Sequence, residues 1–163
     1  MTNISAPSET IGKKTYEVSS ELRQLAEKIV AQYNPNGLKD APAKFEYLVI
    51  YPNITKTTVG RCIKARPEFK FLTGFHYVIE VSGEIWSKLG DDIKEILVYH
   101  ELLHANPVMN EKKGEWDYRL RDHDVKDFYA IIKKHGVDWF TNLKTQVSSI
   151  YDLKPSDEDS ISL

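Results

Sequence analysis

The stretch ILVYHELLHANPV, residues 96–108, places two histidines four residues apart with a glutamate directly after the first. On a helix each residue advances by about 100°, so His100 and His104 lie within about 40° of each other and one turn apart. At that spacing two neutral imidazoles can grip one divalent ion. Glu101 is offset to one side, where it can accept a proton from a water held by the ion without itself being a ligand.

The helix that carries these residues is apolar nearly all round. Ile93 and Leu97 lie on the stripe that continues into His100 and His104, while Ile96, Val98, Leu102 and Leu103 cover the other sides, which predicts a central, buried helix. Burial of two imidazoles and a carboxylate is unfavourable unless each polar atom has a partner, and a divalent metal supplies one. The plainer reading is a structural helix whose histidines bond to backbone and whose glutamate pairs with a lysine. Three required residue types in fixed order favour the metal site, because HELLH has the spacing of the H-E-x-x-H pattern of zinc peptidases.

A third ligand must come from elsewhere. The metzincin pattern would need Gly and His where this chain has Pro107 and Asn110, so that class is excluded. The candidates are Glu115, His123, Asp124, Asp127 and His135. A last helix is expected to begin near Asp122 or His123 and to end at KKHG, with Gly136 as its stop and an apolar face of Val125, Phe128 and Ile132. His123 falls opposite that face, unless it is a cap residue outside regular helical geometry. His135 faces the apolar side, yet its place before Gly136 also suits contact with the last carbonyls.

Other elements must hold this helix in place. SSELRQLAEKIVAQYNPNG reads as a first helix, capped at Ser19 or Ser20 and stopped by Asn-Pro-Asn-Gly. FEYLVIY (45–51), TVGRCIKA (58–65) and FHYVIEV (75–81) read as strands, with Phe75, Tyr77, Ile79 and Val81 on one face of the third. SGEIWSKLG reads as a short helix capped by Ser82, and Pro107 discourages helix beyond about Asn106. The charged NEKKGEWDYRLR is expected to be a loop. The pattern is α+β, with flexible tails expected at 1–15 and, acidic in character, at 151–163, around one domain spanning 16–150.

Composition narrows the partners. Of 163 residues, 41% are hydrophobic and 28% charged, as in ordinary globular domains, and no apolar run is long enough to span a bilayer. The opening residues show no segment of the secretion-signal type, so a cytoplasmic location and no membrane partner are expected. Cys62 is the only cysteine, which leaves no internal disulfide and no cysteine zinc ribbon, and it reads as an inert, buried thiol. Residues 1–75 carry 11 Lys+Arg against 7 Asp+Glu, and the remainder 11 against 17. The basic excess centres on residues 56–70, with Arg61, Lys64 and Arg66, which would permit DNA as a partner but equally describes a solvated strand.

Taken with FLTGFHYVIEVSGEIW, LVYHELLHA, LRDHDVKDF and IIKKHGVDWF, the chain resembles the phage metallopeptidases, which are similar in turn to the SprT-like zinc peptidases. The resemblance runs from about Glu21 to about Trp139. It implies a zincin-like α+β fold: a small, mainly antiparallel sheet against an N-terminal helix, a central H-E-x-x-H helix and a C-terminal helix. It implies a zinc-dependent metallopeptidase acting in the host cytoplasm on a protein or peptide. Zn2+ would be held by His100, His104 and, from HDVKDF, His123, with water in the fourth position activated by Glu101. Asp124 and Asp127 would be carboxylates orienting the imidazoles. An oxyanion donor would come from Tyr118, Arg119, Arg121 or His76, while Tyr99, Trp86, Trp116 and Trp139 read as packing residues. The chain departs from cellular SprT-like proteins in lacking a cysteine-rich ribbon and a basic tail. The alternatives are a catalytically silent zinc-binding interaction protein and a SprT-like, DNA-associated protease.

Overall fold

The computed structural model describes residues 13–123, 128–136, 138–151 and 160–163. A short strand, β1 (Thr15–Val18), leads into α1 (Ser20–Tyr33). The Ser19 side chain accepts from the Leu22 N–H at 3.1 Å, and Asn34 in the left-handed conformation ends the helix. Leu22, Ala26 and Ile29 form its fully buried stripe. One 3-10 turn, Pro35–Gly37, follows.

Next come β2 (Phe45–Tyr51), β3 (Gly60–Lys64), α2 (Pro67–Thr73) and β4 (Tyr77–Ser82). The sheet order is β1-β2-β4-β3. The chain lays β3 at the far edge and returns through α2, so β4 inserts between β2 and β3. As a result β4 is parallel to β2 and antiparallel to β3, while β1 and β2 are antiparallel. The sheet is thus mixed, a point on which the expected mainly antiparallel arrangement is refined. Phe45, Tyr47 and Val49 of β2 stand in register with Tyr77, Ile79 and Val81 of β4 and form the face that packs into the core. Being central, β4 is buried on both faces.

After α3 (Gly83–Lys88) comes α4 (Asp91–His104), buried from Ile96 to Leu103. The chain then turns without a loop into β5 (Ala105–Asn110), which pairs antiparallel with β6 (Glu115–Leu120). This hairpin corrects the expected loop. Helix α4 ends at His104, two residues short of the expected limit at Asn106, while Pro107 sits in a two-stranded ribbon where its missing N–H is tolerated, and Gly114, at φ 64°, closes the turn.

The last expected helix is corrected as well. Residues 121–123 are not helical, and α5 (Tyr129–His135) starts later, with Phe128 and Ile131 as its buried anchors; Val125 lies outside the described residues. A further helix, α6 (Asp138–Tyr151), packs Trp139, Leu143 and Val147 inward at four-residue intervals. Ser160–Leu163 returns to the core through Ile161, 5% exposed, and bridges Thr58 with Ser162. Among the described residues no helix is long and apolar enough to cross a membrane.

Candidate metal centre

Helix α4 brings His100 and Glu101, both fully buried, and half-buried His104 to one end of the core. Leu97 and Leu102, also fully buried, hold it against its neighbours. Its last turn is gripped from outside by the Pro35–Gly37 turn. The Asn36 side-chain amide donates to the carbonyls of Leu103 (2.7 Å) and Ala105 (2.9 Å), and its oxygen accepts from the Arg121 guanidinium at 3.0 Å. Asn36 reaches this position with φ at 51°, a conformation that asparagine tolerates better than most side chains.

Arg121 ties α4 to the hairpin through its backbone. Its N–H donates to the His104 carbonyl and its carbonyl lies 2.7 Å from His104 Nδ1. A carbonyl can only accept, so Nδ1 carries the proton and Nε2 presents a lone pair toward the site. The same bonds keep the chain extended beyond β6 and deliver His123 two residues later. The helical-wheel objection to His123 does not apply, because no helix has begun there.

His123 Nε2 lies 2.8 Å from His100 Nε2. His100, His104 and His123 each offer a ring nitrogen, and these atoms all lie within 4.8 Å of one another. Ring centroids are 5.1 Å apart for His100 and His104, 4.7 Å for His100 and His123, and 4.5 Å for His104 and His123. Fully buried Phe128 packs edge-on against all three imidazoles, and Trp139 lies 5.9 Å from His100. Three convergent imidazoles with an apolar backing suit a divalent ion of the zinc type.

Neither buried oxygen of Glu101 has a hydrogen-bond partner among the described residues, and Oε1 stands 4.0 Å from His104 Nε2. Burial pushes its carboxyl up to about 7, with His100 pulling the other way. Burial also pushes His104 down to about 4 and so keeps the imidazole neutral, while its bond to the Arg121 carbonyl acts in the opposite direction. The orphaned carboxylate beside three convergent nitrogens fits a site that an ion and its water complete.

On its other side Glu101 faces the edge strand β3. A Cβ added to Gly60 would stand 3.2 Å from Glu101 Oε2 and 3.3 Å from the Glu80 carbonyl, so glycine is what lets the glutamate lie against the strand. Cys62, expected to be buried, is half-buried on the same strand, and burial, then Glu101, push its thiol well up.

The remaining candidates fall elsewhere. Glu115 is exposed at the far end of the hairpin, and His135 is not in the cluster. Asp124 and Asp127 lie outside the described residues. Of the proposed oxyanion donors, His76 and Tyr118 stack on each other with centroids 3.8 Å apart, Arg119 pairs with Asp117 at 3.2 Å, and Arg121 holds Asn36. Tyr99 stacks on Tyr33 at 5.3 Å, and Trp86 is buried beneath Lys94, both in packing roles. Within the basic stretch Arg61 is paired with Glu80. Asn36 and Gly60 were not anticipated; NPNG carried only a helix-stop signal and Gly60 none.

Compared with known proteins, residues 14–151 match the family model described as "Putative phage metallopeptidase". No curated protein and no solved structure matches.

Proposed function

The chain belongs to this phage metallopeptidase family, and from that premise we propose that it is a zinc-dependent peptidase of zincin type in which Glu101 is the general base. The observation that carries the reading is the buried Glu101 carboxylate, without a hydrogen-bond partner among the described residues, beside the converging His100, His104 and His123. The three imidazoles would hold Zn2+, which when bound lowers the pKa of water toward about 7 and polarises a carbonyl. Glu101 would take the proton from the attacking water and pass it to the departing amine. Phe128 and Trp139 exclude bulk water from the back of the site.

A protein segment in extended form is the substrate class the fold favours. β3 is an edge strand, and Glu101 lies against its first residue, so a peptide added to that edge passes the base and gains backbone hydrogen bonds. The test is cleavage of an unfolded protein by the zinc-loaded chain, abolished by a chelator and restored by added zinc. An absence of cleavage at full zinc occupancy would contradict the reading.

A further inference from the structure

We propose that the Ser160–Leu163 segment closes one end of the β3 edge and thereby limits how far a bound peptide extends past Glu101 on that side. The inference rests on the peptidase reading above and adds a specificity determinant to it. Antiparallel ladders turn alternate residues toward their partner. Toward β4, the Val59 carbonyl accepts from Ser82 N at 2.9 Å and the Ala65 N–H donates to the His76 carbonyl at 2.8 Å, so Arg61 and Ile63 also face β4. Gly60, Cys62 and Lys64 therefore turn their backbone groups away from β4, to the outer edge of the sheet.

Just upstream that edge is taken. The Thr58 carbonyl accepts from Ser82 Oγ on the β4 side, so the opposite end of the same peptide plane points outward. There the Val59 N–H donates to the Ser162 carbonyl at 2.8 Å, and the Ser162 N–H donates to the Thr57 carbonyl at 2.8 Å. Thr58 and Ser162 form a parallel bridge, and buried Ile161 anchors the segment in the core. Two strands cannot share one edge.

Gly60, at the level of Glu101, is two residues from Thr58, or roughly 7 Å. The antiparallel ladder is the more stable one per residue. In that direction the residues before the scissile bond run toward Lys64, and those after it run into Ser162. Only one or two residues fit on that side before the segment must leave.

Two probes on the zinc-loaded full chain separate the sides. Acetyl-Ala-Ala-Ala hydroxamate extends from the metal toward Lys64, whereas a trialanine amide headed by a hydroxamate extends toward Thr58. Ending the chain at residue 159 should tighten the second probe about tenfold and leave the first unchanged. Ser162→Pro keeps the Ile161 anchor and removes the N–H donor, and should act in the same direction. Equal affinities for both probes in all three proteins would overturn the proposal while leaving the peptidase reading standing. Failure of the second probe alone to bind any zinc-loaded form would overturn only the proposal, and failure of both probes would overturn the peptidase reading as well.

Discussion

Glu101 is the residue on which the proposed chemistry turns, and its environment bears on what would complete it. A fully buried carboxylate whose two oxygens have no partner among the described residues is unfavourable by several kcal/mol in an apolar setting, and an adjacent ion with its water would offset that cost. His104 is positioned in turn by atoms that are not chemical participants: the Arg121 carbonyl on Nδ1, and Asn36 holding both Arg121 and the last turn of α4. Asn36→Gly tolerates the same positive φ but removes the amide. It should weaken zinc affinity about tenfold, measured by competition with a chromogenic chelator. Unchanged affinity would show that the hairpin alone orients His104. The HELLH residues could be recognised because helical geometry alone brings them together within one turn. His123 could not be placed in this way, since its approach depends on a hairpin whose charged residues, NEKKGEWDYRLR, resemble a loop.

At the scale of elements, the site lies where a helix, a hairpin and a sheet edge meet. Helix α4 supplies three groups, β6 carries the chain to the fourth, and β3 lies alongside. Gly60→Ala places a methyl 3.2 Å from Glu101 Oε2 and 3.3 Å from a backbone carbonyl, so the carboxylate must yield by a few tenths of an ångström. The variant should retain zinc yet lose about tenfold or more in kcat, since small misplacements of a reacting group are costly in rate. Wild-type kcat in this variant would mean that the base tolerates the shift. Strands β2 and β4 and helix α1 were legible from alternation and from capping, because Tyr77, Ile79 and Val81 or Leu22, Ala26 and Ile29 each mark one face. Helix α2 was not: it buries no residue, leaves Phe71 89% exposed, and is set only by Pro67 at its start and Gly74 at its end.

For the molecule as a whole, the fold's local patterns were readable and its crossings were not. Nothing in the residues of β2, β3 and β4 announces that β4 inserts between the other two, or that Ser162 returns to Thr58 from more than 100 positions away. The metal site would join α4 to the segment after β6, so occupying it should stabilise the fold. Zinc at 100 times its Kd is expected to add about 2.7 kcal/mol to unfolding. Chelation should therefore lower Tm by several degrees, as read by calorimetry, and an unchanged Tm would argue against a site that bridges α4 and the segment after β6. The most direct test of the central claim is peptide hydrolysis by Glu101→Gln, assayed beside wild type on samples of measured zinc content. The account predicts one zinc per chain in both proteins and a loss of turnover of about 100-fold or more in the variant. A zinc-loaded Glu101→Gln protein that cleaves at the wild-type rate would contradict it.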